Sequence, residues 1–93
     1  MPIKTFKRKA LKKLFLNGEK AKIPAAYIKR LSLILDYLDA AEKPEDMNFS
    51  GSNFHRLKGK LKKFYSIHVS GNYVVIFRFV GKDADDVDYL DYH

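Results

Sequence analysis

Along the first half of the chain apolar residues return every three or four positions, and along the second half they alternate or run together. That change of period separates a helical part from a strand part. Ile3 and Phe6 fall in a short extended stretch. From Arg8 to Asn17, residues Ala10, Leu11, Leu14 and Phe15 share the spacing of one helical face, and Gly18 follows as a C-cap. A longer helix begins after Pro24, a residue that suits a first helical turn. Its segment AAYIKRLSLILDYLDAA places Ile28, Leu31, Leu35 and Leu38 on one stripe, widened by Ile34. Such a stripe closes a single core by covering a sheet and calls for no ligand.

The segment KPEDMNFSGSN reads as an irregular connection with one helical turn at Pro44 to Met47. Beyond it, FHRLK reads as a short strand. FYSIHV, the turn Ser70-Gly71-Asn72 and YVVIFRFV read as a β-hairpin rich in β-branched and aromatic residues. A turn around Gly81 to Ala84 leads into VDYLDYH, with Asp83, Asp85 and Asp86 taken as a solvated cluster. Helices first and antiparallel strands after predict an α+β fold, with the N-terminal helices packed on one face of a mostly antiparallel, twisted sheet. Residues 1–93 form one domain, long enough for one modest core and one site.

Composition narrows the picture. The chain has no cysteine, which excludes a disulfide framework and a thiolate metal site and suits a reducing cytoplasm. No apolar stretch of signal-peptide length follows the basic N-terminus, so a soluble, unexported, cytoplasmic protein with no membrane partner is expected. The net charge of +7 is unevenly placed. Residues 1 to 18 carry six Lys or Arg and no acid. Residues 47 to 82 carry Arg56, Lys58, Lys60, Lys62, Lys63, Arg78 and Lys82, again with no acid, whereas residues 83 to 93 carry five aspartates and no base. A long acid-free stretch with lysines and aromatics is what binding a phosphate backbone requires. Arg56, Lys60, Lys62, Lys63 and Arg78 are therefore the candidate RNA-binding cations.

Three histidines are available. Strand alternation puts Asp91 and His93 on one face of the last segment, about 7 Å apart, together with Val87 and Tyr89. His55 comes from a distant segment just before Arg56 and Lys58. Two imidazoles beside lysines are the minimum kit for cutting RNA without metal or cofactor. One takes the proton of the ribose 2′-OH, the other protonates the leaving 5′-oxygen, and a lysine stabilises the phosphorane. Each positioned acid or base contributes ~10²–10⁴ in rate. His68 alternates with Ser66 and Phe64 and needs no role beyond one sheet face. No HExxH-like spacing, phosphate loop or nucleophile elbow points to other chemistry.

The opening IKTFKRKALKKLF, the segment FHRLKGKLKKFYSIHVSGNYVVIFRF and the ending VDYLDYH together resemble, in order and spacing, the HigB branch of the RelE-like toxins. The resemblance implies a RelE-like fold and a type II toxin that enters the ribosomal A site and cuts mRNA. It also implies a HigA-like helix-turn-helix antitoxin as partner, with DNA reached only through that antitoxin. It places the functional residues on His55, Lys58, Asp91, Tyr92 and His93. Two positions depart from the family pattern: Arg56 stands where proline is usual, and Val74 where an arginine is. Arg78 lies on the same strand face as Val74 but about 13 Å along it, too far to substitute. The expectation is that Lys58, helped by Arg56, carries the charge stabilisation. Cations crowd His55 and carboxylates surround His93, so His55 is expected as base and His93 as acid. Tyr92 either stacks on a nucleobase or packs the chain end. A non-catalytic RNA- or ribosome-binding module, and an inactive toxin acting with its antitoxin in autoregulation, are the alternatives.

Overall fold

The computed structural model describes residues 3–20 and 23–91, and of Asp91 the backbone alone. Helix α1 spans Lys9–Asn17 and buries Leu11 and Leu14; α2 spans Ala25–Ala40 and buries Leu31, Ile34, Leu35 and Leu38. Both follow the faces that the sequence predicts. Gly18 closes α1 in the left-handed region at φ 69°, where its N–H reaches the Leu14 carbonyl at 3.0 Å and the Glu19 N–H reaches that of Lys13 at 3.3 Å. The expected turn at Pro44–Met47 forms as a 3-10 helix and buries Met47. No helix among the described residues is long and apolar enough to cross a membrane.

Four strands follow: β1 (His55–Arg56), β2 (Tyr65–Ser70), β3 (Tyr73–Val80) and β4 (Asp83–Asp91). They form one antiparallel sheet in chain order, so the fold is α+β as predicted. Alternation sorts the sheet into two faces. Ile67, Val69, Val75, Phe77, Val87 and Tyr89 join the helix stripe in the core, whereas Ser66, His68, Val74 and Ile76 alternate out of it. Val87 and Tyr89 thus share a face, as alternation predicts. Aromatic rings add to this layer. Tyr65 stacks between Phe54 and Phe77 at centroid distances of 5.4 and 5.9 Å, and Tyr27 of α2 meets Tyr73 at 5.3 Å. Such pairs contribute ~0.5–1.5 kcal/mol each beyond their area.

Two strands differ from their predicted extents. β1 keeps two residues because Leu57 turns inward, 6 % exposed, and Gly59 at φ 68° starts a 3-10 turn, Gly59–Leu61. β4 begins at Asp83, and its aspartates are not a solvated cluster. Asp85 is buried, and Arg78 spans both neighbours, with Nη2 2.7 Å from Asp85 Oδ2 and Nε 3.0 Å from Asp86 Oδ2. A bulge between Ile76 and Arg78, with Asp86 at φ 51°, allows one arginine to meet two consecutive carboxylates.

The N-terminal segment lies parallel to the outer edge of β4. Ile3 bridges Ala84 and Phe6 bridges Val87, through Lys4 N–H to Ala84 O at 2.7 Å, Val87 N–H to Thr5 O at 3.1 Å and Lys7 N–H to Val87 O at 2.8 Å. An edge strand that would otherwise offer unpaired backbone is thereby covered. The Thr5 hydroxyl donates to Asp85 Oδ1 and accepts the Asp86 N–H at 2.9 Å.

This hydroxyl, against the opposing effect of burial and assisted by Arg78, the Asp86 N–H and Lys4, holds the Asp85 carboxyl below the usual carboxylate range. A depressed folded-state value stabilises the protein above the unfolded pKa, and that contribution disappears as pH falls through the folded one. Thr5→Val is therefore expected to destabilise the fold by about 1 kcal/mol at neutral pH. Denaturant titrations at successively lower pH should show the difference from the parent chain shrinking once Asp85 is protonated in both states.

Candidate active site

On the sheet face turned away from the helices, the loop before β1 and the first three strands enclose a cavity of about 370 Å³. Asn53, His55, Arg56, Leu57, Lys58, Ser66, His68, Gly71, Asn72 and Val74 line it. The volume lies in the ~300–1,000 Å³ range of small-ligand sites. A second groove along α2, lined by residues such as Ala26, Ser32 and Leu33, contains no imidazole.

Register explains why these residues meet. His55 pairs with Ser66 and His68 pairs with Val74. Directly paired residues share a face, and diagonal neighbours such as His55 and His68 stand about 7–8 Å apart. Ser52 O accepts the His68 N–H at 2.9 Å, so the chain from Ser52 to His55 runs beside β2. On the other side Val74 pairs with Leu90, and Tyr73 with the Asp91 backbone. β4 therefore ends beside the strand that carries Val74. Tyr92 and His93 lie outside the described residues, as does the Asp91 side chain.

Of the predicted site residues, His55, Arg56 and Lys58 come together in the cavity. Lys60, Lys62 and Lys63 do not line it; they belong to the 3-10 turn and the approach to β2. The Lys62 carbonyl accepts Arg56 Nε at 3.2 Å, which ties that guanidinium to the turn. Arg78 lies outside the cavity, with Nε and Nη2 committed to Asp86 and Asp85. Its charge is balanced within the fold.

Three residues left aside by the sequence reading line or brace the site. Asn53 Oδ1 is 3.0 Å from His55 Nε2. With that oxygen accepting, Nε2 carries the proton and Nδ1 becomes the basic atom of His55. Asn53 holds φ 50°, a left-handed conformation that asparagine tolerates better than other non-glycine residues, and such strained positions cluster at functional sites. Arg30 of α2 donates to the Gly51 carbonyl at 2.7 Å and to the His68 carbonyl through Nε at 3.2 Å and Nη2 at 3.1 Å, joining helix, loop and strand. His68 itself enters the cavity. An asparagine two residues before a candidate base was the one legible signal; the other two depend on register.

The sequence model of a family described as RelE-like toxin of type II toxin-antitoxin system HigB matches residues 4–93. The chain is 36% identical over 91 residues to the Endoribonuclease HigB of Proteus vulgaris, covering 98% of this chain and 99% of that one. It is 34% identical over 90 residues to Toxin HigB-1 of Vibrio cholerae, covering 95% and 94%. An uncharacterized protein of Haemophilus influenzae is 34% identical over 74 residues, covering 78% and 72%.

Asn53→Gly keeps the left-handed backbone accessible while removing the side chain, so stability should change by less than about 1 kcal/mol. Imidazole nitrogen NMR of the parent protein should show His55 with its neutral-state proton on Nε2. In the variant the two tautomers should mix; an unchanged tautomer would mean that Asn53 does not orient the ring.

Proposed function

The chain belongs to the RelE-like toxins of the HigB type from type II toxin-antitoxin systems, and from that membership we propose that it is an endoribonuclease that cuts mRNA in the ribosomal A site. The observation that carries this reading is the convergence of His55, Arg56 and Lys58 on one cavity beside the strand that leads to Asp91, Tyr92 and His93. A relative matching almost the whole chain is named an endoribonuclease, which supports the same chemistry here.

The reaction uses the substrate's own nucleophile. His55 Nδ1 removes the proton from the ribose 2′-OH, and the oxygen attacks the adjacent phosphorus. His93 protonates the departing 5′-oxygen, so that the chain breaks into a 2′,3′-cyclic phosphate and a 5′-hydroxyl end. Lys58, with Arg56 beside it, stabilises charge on the phosphorane. Tyr92 stacks on a base exposed in the decoding site. Lys60, Lys62 and Lys63 give phosphate-backbone contacts without sequence preference. A HigA-like helix-turn-helix antitoxin neutralises the toxin and links it to DNA.

Val74 favours one second reading. An apolar residue stands in the cavity where the family pattern has arginine, as a chain that binds RNA or the ribosome without cutting would allow. Expression separates the two. An endonuclease arrests growth and leaves codon-phased ends in primer extension, whereas a non-catalytic module leaves transcripts intact.

His55→Ala and removal of residues 91–93 are expected to abolish the cuts without loss of ribosome binding. Lys58→Ala should slow single-turnover cleavage by about 10²-fold or more. Cleavage by Lys58→Ala at the parent rate would remove Lys58 from the mechanism. A cleavage pH profile that keeps both limbs in His55→Ala would remove His55 as base.

A further inference from the structure

We propose that His68 is a catalytic residue of this cavity, its imidazolium binding a non-bridging oxygen of the scissile phosphate at the place where Val74 brings no charge. The proposal rests on the endonuclease reading and adds a contact to it.

Placement is the first support. His68 pairs directly with Val74 and stands diagonal to His55, with all three lining one cavity. Leu90, at the end of β4, lies two inter-strand spacings from His68, or about 10 Å. His68 is thus between the strand of the proposed base and the strand that leads to the proposed acid. A phosphate attacked by a 2′-oxygen whose proton His55 removes lies beside His55, on the sheet face that His68 shares.

The ring's own bonding is the second. His68 Nε2 lies 3.2 Å from the Gly71 carbonyl oxygen. A carbonyl only accepts, so Nε2 carries a proton in either charge state. Among the described residues nothing else bonds the ring, and Nδ1 is left for a ligand. As the imidazolium, Nδ1–H is a charge-assisted donor to a phosphate oxygen, the stronger class of hydrogen bond.

The main chain is the third. The His68 N–H is held by Ser52 O, and its carbonyl by Nε and Nη2 of Arg30. A bulge follows immediately, between His68 and Ser70. Bulges re-aim side chains and recur beside active sites.

The other cations leave the position open. Arg78 is held by two aspartates outside the cavity, and Arg56 is tied through Nε to the Lys62 carbonyl on the β1 side. Lys58 lies beyond β1 in the chain. Among the described residues of β2, His68 alone brings a side chain that can take up a proton to the strand that adjoins Val74.

Single-turnover cleavage of ribosome-bound mRNA tests the proposal. His68→Gln should fold with an unchanged thermal midpoint, bind ribosomes as the parent does, and cut about 10²-fold more slowly. Restoring charge should restore rate: His68→Arg, or Val74→Arg placed on His68→Gln across the register pair, should regain at least about tenfold. A folded His68→Gln that cuts within about twofold of the parent overturns the inference. So does a slow His68→Gln that neither arginine rescues, since that pattern marks a role other than charge. If the parent leaves transcripts intact, the endonuclease reading fails and takes this inference with it.

Discussion

Burial of the α2 stripe against one sheet face decides where chemistry can occur in this chain. Leu31, Ile34, Leu35 and Leu38 meet Ile67, Val69, Val75 and Phe77 in one core, which consumes every other residue of β2 and β3. The residues between them must face away. Because strand alternation has a period of exactly two residues, one step of slip would bury His68 and expose Ile67. The stacked rings of Phe54, Tyr65 and Phe77 oppose that slip. Packing on one side therefore fixes the register of the site on the other.

Charge is sorted along the same sheet. On β4 three aspartates are matched to cations: Arg8 Nε lies 2.8 Å from Asp88 Oδ1, and Arg78 meets Asp85 and Asp86. At the cavity, neither Arg56 nor Lys58 has a carboxylate partner among the described residues. The acid-free run from 47 to 82 keeps positive charge at the cavity, while the acidic run after it neutralises arginines elsewhere. The cavity cations thus keep their charge without a local counter-ion among the described residues, whereas Arg8 and Arg78 do not.

Much of this was legible in the sequence. Period and caps marked both helices, the Gly71 turn marked the hairpin, and the core stripe of α2 could be read residue by residue. His55, Arg56 and Lys58 could be grouped because they are neighbours in the chain. What escaped depends on partners far away in sequence. Asp85 looked like a turn residue because its partners, Thr5 and Arg78, are joined to it only by the folded sheet. The surroundings of His68 could not be read, because alternation gives a face but not what shares it, and only the pairing with Val74 and the proximity of Ser52 reveal its neighbours. Arg30 sits on a helix whose apolar stripe dominated its reading, while its role is to tie backbone carbonyls of a loop and a strand.

The strip of backbone at residues 3–7 that covers β4 also has a consequence for assembly. Thr5 and Asp85 are 80 positions apart, whereas the hairpins of the sheet join immediate neighbours in the chain. The entropy of closing a loop grows with its length, so short-range pairings form early and this one has the largest ring to close. The helices and the β2–β3 hairpin can organise locally. The strand that leads into the C-terminal residues acquires its outer neighbour only when the two extremes of the fold come together, so this seam carries the largest closure cost of the sheet.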